Sequence, residues 1–331
     1  AIGILVSGLA ARRDGAGEPM TIISCDNVSE NGSKLCGAVL DFAEQKDMTL
    51  AEWIKTNIAF PNTMVDSITP ASDTALFASV EQALGVEDKA CVHRELFTDW
   101  VVESFDGPRP AWEKAGVIFT DDVKPYEKAK LTLVNAPHSA LTYLGLLAGL
   151  KSVADVMADT GLNDYFHALS RQELIPSMGP YALMDLAQYS DRIGQRFSNP
   201  SIQHQLIQIA ADGSAKLPQR LLPALEKNFK AGRSIECICL GLAAWMQFVV
   251  EQVEAGTALN DPMSAPLSAL VKSRSGDTCE DVAAFLALKA IFPPWIGQEP
   301  QIMDAIVRGY TALDMHGAGP AIAATLKLVR G

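Results

Sequence analysis

The chain of 331 residues is 48% hydrophobic and 20% charged, with no low-complexity tract, which describes a globular protein with a substantial core rather than a disordered or fibrous one. Its net charge of −12, from 27 basic against 39 acidic residues, excludes an extended nucleic-acid or anionic-membrane surface but not a small anionic substrate held by a few local cations. No run approaches the roughly 20 apolar residues of a membrane span. The cysteines Cys25, Cys36, Cys91, Cys237, Cys239 and Cys279 show no metal-ligand spacing, so they read as reduced thiols of a cytoplasmic protein.

In chain order, Ala1–Arg13 reads as a helix ended by the glycines of DGAGEP, and Met20–Cys25 as a buried β-branched strand that opens into the polar turn DNVSENG. Helices are predicted over Gly32–Gln45 and Thr49–Asn57, then a strand at Ile58–Phe60 that enters a loop, PNTMVDSITP, bracketed by prolines. Asp73–Leu84 reads as helix, and Ala90–Glu95 and Trp100–Glu103 as strands, an alternation that suggests an α/β sheet. From Asp121 onward nearly every segment carries helix-period apolar spacing, including a long stretch at Leu131–Ala158. The expected fold class is α/β followed by mainly α, with a boundary near Gly107–Gly116 that divides the chain into residues 1–115 and 116–331.

The segment Thr120–Leu150 draws attention because Lys130, Asn135 and His138 stand close together in a run of small and apolar residues. A lysine whose pKa is lowered by burial or by another cation can move a hydroxyl proton without a metal. An asparagine amide can donate to an oxygen that becomes negative, and an imidazole can orient a neighbouring hydroxyl. On an ideal α-helix these positions fall on an arc of about 140°, so one cleft can see all three. Pro137 between them predicts a kink or restart of the helix. Read alone, an exposed lysine at a helix start and an Asn-Ala-Pro turn are equally ordinary features. His204 and His316 have no partner pattern and read as surface or satisfied core residues, and Trp112 and Trp245 as core.

DDVKPYEKAKLTLVNAPHSALTYLGLLAGL resembles the signature of the mannitol dehydrogenase family, the long-chain, metal-independent polyol and hexuronate dehydrogenases. TIISCDNVSENG, FPNTMVDSITP, ELFTDWVVESFDGPRPAWEKAGVIFTDDV and RFSNPSIQHQLIQIAADGSAKLPQRLLP resemble it in family order across residues 20–255, and the remainder does so more loosely. The resemblance implies part of a Rossmann-like dinucleotide-binding domain followed by a multi-helical substrate domain, with NAD or NADP as cofactor and no metal. It gives Lys130 the place of the catalytic lysine, Asn135 that of the oxygen-polarising asparagine, and His138 that of the substrate-orienting histidine. Asn27 resembles the second asparagine of the oxyanion pair and sits where a strand would meet the cofactor; Asn31 joins it on the cofactor side, unless it closes the strand by an Asx turn. Asp66 and Lys216 resemble residues that line the substrate pocket, and Lys216 would help to depress the pKa of Lys130 by repulsion.

The chain departs from the family pattern at Ser67, where a basic residue is usual, and at Pro137, where a small one is. The glycine-rich strand–turn–helix that cradles a pyrophosphate is not found: GAG at Gly15–Gly17 and at Gly317–Gly319 both lack that context. Two functions are therefore expected. One is an NAD(P)-dependent oxidoreductase acting on a sugar alcohol or sugar acid, with QIAADGSAKLPQR and LALKAIF leaning toward fructuronate and mannonate over fructose and mannitol. The other is a truncated, non-catalytic sugar-acid-binding or structural remnant. The partner is a small molecule in either case, and a monomer and a small homo-oligomer are equally compatible with the sequence.

Overall fold

A computed structural model describes residues 1–15 and 17–330. The chain forms two compact units, Ala1–Ile68 with Glu95–Lys128, and Thr69–Arg94 with Ala129–Gly331. The expected boundary near Gly107–Gly116 thus falls inside the first unit, and the chain makes an excursion through residues 69–94 into the second.

In the first unit, α1 (Ile2–Asp14) leads to β1 (Met20–Thr21), α2 (Asn31–Glu44), α3 (Met48–Asn57), β2 (Ile58–Ala59) and β3 (Thr63–Asp66); β4 (Asp99–Glu103) and β5 (Ile118–Thr120) follow the excursion. The three helices bury Val6, Leu9, Val39, Ala43, Leu50, Ala51 and Ile54 together with Ile58 of β2, each large side chain among them worth about 1.5–3 kcal/mol. β1 pairs in parallel with β2, and β4 lies between an antiparallel β3 and a parallel β5. At the start of α2 a Cβ on Gly32 would lie 2.3 Å from the Pro61 carbonyl oxygen, so only glycine lets the helix approach that segment.

Several short elements differ from the sequence reading. The strand expected over Met20–Cys25 is confined to Met20–Thr21, and Ala90–Glu95 is irregular. PNTMVDSITP contains β3, because Thr63–Asp66 finds a complete ladder partner in β4 and buries Met64 beside Val101 and Val123. The Gly15–Gly17 run includes Ala16, which lies outside the described residues.

The second unit is helical. After α4 (Thr74–Leu84) and the short α5 (Lys124–Lys130), which crosses into it, the expected long helix at Leu131–Ala158 is broken into a π-helical turn (Leu131–Asn135), α6 (Ala136–Leu147) and α7 (Val153–Ala158). There follow α8 (Thr160–Ala168), a second π-turn (Leu169–Leu174), α9 (Ile175–Met178), α10 (Leu186–Phe197), α11 (Leu206–Ala210), α12 (Gly213–Arg220) and α13 (Leu222–Lys230). The last five are α14 (Glu236–Glu254), α15 (Ser264–Lys272), α16 (Thr278–Leu286), α17 (Pro300–His316) and α18 (Ala318–Arg330). The axis of the unit is α14, in which every residue from Cys237 to Val250 is buried, chiefly against α6 and α17. Its 19 residues are long and apolar enough to cross a membrane by composition, but 78% of the apolar window is buried within the protein. That all-round apolarity is the pattern of a central core helix. Its first turn is capped from a distance: the Glu173 carboxylate accepts from Cys237 N and Ile238 N, both at 2.8 Å, and from Ser234 Oγ at 2.7 Å.

Candidate active site

In the first unit the loop between β1 and α2 is held from three sides. Asn31 is buried, and its amide nitrogen lies 3.1 Å from the Ser24 carbonyl, 3.0 Å from that of Asp26 and 2.9 Å from Thr63 Oγ1. Its Oδ1 accepts from Gly32 N and Thr63 N, while Glu127 receives Ser29 Oγ and Glu30 N. The side-chain amide of Asn31 thus ties the β1–α2 loop to Thr63 inside the unit. What this network presents is Asn27, exposed on the loop that follows the carboxyl end of β1. Asp66 is buried at the end of β3, opposite Asp99 in the ladder, and Ser67 donates to the Phe97 carbonyl at 2.9 Å.

In the second unit Lys130 ends α5 and is only 8% exposed, with Asn135 at the far end of the π-turn and His138 in the first turn of α6. An i→i+5 turn takes in one residue more than an α-turn, so it draws positions five apart toward one face, where an ideal α-helix would set them about 140° apart. The restart expected at Pro137 is this π-turn, and Pro137 stands in the first turn of α6, where no N–H is required of it. His138 is buried between the rings of Phe197 and His204, at centroid distances of 4.8 and 5.2 Å. Burial pushes its pKa well below the usual imidazole value, helped by His204, Arg220, Lys216 and Arg196, so the ring is neutral near pH 7. Its Nε2 and the Nδ1 of His204 are buried with no hydrogen-bond partner among the described residues.

The DGSAK motif owes its shape to α12. Asp212 takes the left-handed conformation (φ 57°) and Gly213 packs where a Cβ would meet Trp245 Nε1 at 2.5 Å and Tyr143 Oη at 2.6 Å. Ser214 anchors the turn to Asp261 through both its N–H and its hydroxyl. Lys216, half-buried, donates to the carbonyls of Ile209 and Ala211. Desolvation and then the neighbouring Arg220 lower its pKa, with Asp212 and Asp261 opposing. One turn on, Arg220 donates to Ser139 Oγ at 2.9 Å and to the Asn135 carbonyl at 3.4 Å, which ties α12 to the π-turn.

The second unit therefore brings Asn135, His138 and Lys216 into one electrostatic neighbourhood, with Lys130 at the other end of the π-turn; the first unit carries Asn27, Asn31 and Asp66. Sequence reasoning missed three members. Arg220 was detectable, since it stands four residues after Lys216 and an i,i+4 pair of like charges is disfavoured unless it serves something. His204, read as surface or satisfied core, faces His138, and Arg196 is buried in α10; both come from distant segments and leave no local signal.

Residues 1–114 match the profile described as the mannitol dehydrogenase Rossmann domain, and residues 122–314 that described as the mannitol dehydrogenase C-terminal domain. The chain is 38% identical over 329 residues to the uncharacterized oxidoreductase YeiQ of Escherichia coli K12 and 38% identical over 327 residues to D-mannonate oxidoreductase of the same organism, covering 98% of this chain and 67% of each relative. Among solved structures it is similar to the ternary complex of Pseudomonas fluorescens mannitol 2-dehydrogenase with NAD and D-mannitol, at 35% identity and a TM-score of 0.79, covering 100% of this chain and 66% of that one. A substrate-free D-sorbitol dehydrogenase gives 29% identity and a TM-score of 0.84, over 97% of this chain and 66% of the other. The chain thus spans about two thirds of the length of these relatives.

Proposed function

The chain belongs to the mannitol dehydrogenase family, and from that premise we propose that it is the catalytic portion of an NAD(P)-dependent oxidoreductase which interconverts a sugar alcohol or aldonate with the corresponding ketose or keto-uronate. Fructuronate with mannonate is preferred over fructose with mannitol, on the runs QIAADGSAKLPQR and LALKAIF. The observation that carries the reading is the buried Lys130 and the part-buried Asn135 at the two ends of a π-helical turn, followed at once by a buried neutral His138. π-Turns inside α-helices recur at functional sites because they re-aim side chains without breaking the helix.

In this proposal Lys130 takes the proton from the substrate hydroxyl as the carbon–oxygen bond becomes a carbonyl, and returns it in reduction. Asn135 donates to the oxygen while it carries negative charge. His138, neutral in its buried setting, orients a neighbouring hydroxyl, and Lys216 holds the rest of the sugar. Asn27, exposed on a loop after the carboxyl end of a parallel strand pair, suits the nicotinamide end of a dinucleotide, the place such ligands take in open α/β sheets. Among the described residues no strand–glycine-loop–helix is present to cradle a pyrophosphate, so the assignment is confined to the nicotinamide end. The bound nicotinamide supplies the hydride chemistry. The six cysteines are all unpaired thiols, which suits the cytoplasm as the compartment.

Lys130→Ala in the full-length protein is expected to lose several orders of magnitude in turnover with mannonate or mannitol while its fold, checked by circular dichroism, is retained. Near-native turnover would remove Lys130 from the mechanism.

A further inference from the structure

Among the described residues Arg220 is a part-buried cation with no ion pair to a carboxylate. Its guanidinium offers five N–H donors. Only one of its nitrogens is used, by Ser139 Oγ and the Asn135 carbonyl. Around it stand Lys216 one turn back on α12 and, acting together on His138, the side chains of His204 and Arg196. The acids of the neighbourhood are engaged elsewhere: Asp261 receives Ser214 N, Ser214 Oγ and Met263 N, and Asp212 and Asp261 act on Lys216 and Tyr143. Removing a guanidinium from water beside an ammonium is costly, and the interior repays it only when an anion with good geometry completes the group. Beside it, His138 and His204 meet ring to ring, and each has a buried nitrogen, His138 Nε2 and His204 Nδ1, without a partner among the described residues. Such atoms are rarely left bare in a finished core. The free nitrogens of the Arg220 guanidinium and these two imidazole nitrogens thus coincide where the described residues supply no partner.

We propose that Arg220 is a specificity-determining residue, whose unengaged nitrogens receive the carboxylate of a sugar acid while the engaged one holds the Asn135 carbonyl and so the position of that amide. Guanidinium is suited to both tasks, because its planar fork meets a carboxylate with two parallel hydrogen bonds and stays charged when desolvated. His138 and His204 then complete their hydrogen bonds on the sugar hydroxyls. The identity of the sugar rests on the oxidoreductase reading above; the anion-binding role of Arg220 does not.

The test compares the full-length wild type with R220Q and R220K, by steady-state kinetics with NAD(H) and by calorimetric binding of mannonate and mannitol. R220Q keeps a hydrogen-bond donor for Ser139 but loses the charge. It should lose roughly 100-fold more in kcat/KM for mannonate than for mannitol, the scale of a charge-assisted contact, on top of a smaller loss shared by both substrates as the Asn135 carbonyl is released. R220K should recover at least about a tenth of the mannonate activity, since it restores the charge without the fork, and it serves as the folded comparison if R220Q is unstable. An equal loss on both substrates in R220Q and R220K assigns Arg220 a structural role and overturns the proposal, as does an unchanged preference for mannonate. If the wild type turns over neither compound but binds mannonate in an Arg220-dependent way, the redox reading fails and the anion site stands. If the wild type binds no mannonate, the anion site fails.

Discussion

Glu173 offers a quantitative test of the helical unit. Its carboxylate is fully buried, and burial pushes its pKa up to about 7 from a reference of 4.5, against the downward pull of Cys237 N, Ile238 N and Ser234 Oγ. A raised folded-state pKa means that the folded protein keeps this proton at pH values where the unfolded chain has lost it. Its contribution to stability is therefore complete below about pH 4.5, declines as the pH rises to about 7, and is lost above that. At about 1.4 kcal/mol per pH unit the decline is on the order of 3 kcal/mol. Glu173→Gln preserves the shape and removes the titration, so the stability of the wild type relative to this variant isolates the effect. Urea unfolding followed by circular dichroism at about pH 5, 6, 7 and 8 should show the wild type losing roughly 3 kcal/mol against Glu173→Gln across that span, most of it below pH 7. A difference that is flat with pH refutes the reasoning, and one that grows in favour of the wild type reverses it. In that last case the positive end of the long α14 and its N–H donors outweigh desolvation and hold the carboxylate charged.

Three further outcomes are expected. Asn31→Ala removes the acceptor of two N–H groups and the donor to two carbonyls and Thr63 Oγ1; thermal unfolding should report a loss of about 2–4 kcal/mol, with a raised KM for dinucleotide as the Asn27 loop loosens. Gly213→Ala forces a methyl against Trp245 Nε1 and Tyr143 Oη, so it should cost about 1–3 kcal/mol and lower kcat/KM by displacing Lys216, and an unchanged enzyme would show that α12 yields freely. The depressed pKa of His138 predicts acid sensitivity. The folded state keeps a neutral ring while the unfolded chain gains a proton, so stability present above pH 6.5 is lost as the pH falls below it, and His138→Asn should flatten that limb of the acid-denaturation curve.

The sequence by itself determined the class of the fold and drew attention to one segment, Thr120–Leu150. Helical periodicity after Asp121 needs no partner to be read, because the apolar stripe of a helix is written in its own spacing. The grouping of Lys130, Asn135 and His138 was legible for the same local reason. What only the tertiary structure decided are the pieces whose physics is non-local. Thr63–Asp66 is a strand because β4 completes its ladder, whereas Ala90–Glu95, also expected to be a strand, is irregular. Leu131–Asn135 winds as a π-turn that an ordinary helical pattern conceals. Arg220, His204 and Arg196 come from different helices and segments and gather around His138 only after packing, and Glu173 finds the bare first turn of α14 far away in the chain. Burial and charge pairing are properties of neighbours in space, and the pattern along a chain specifies those only where the neighbours are also close in sequence.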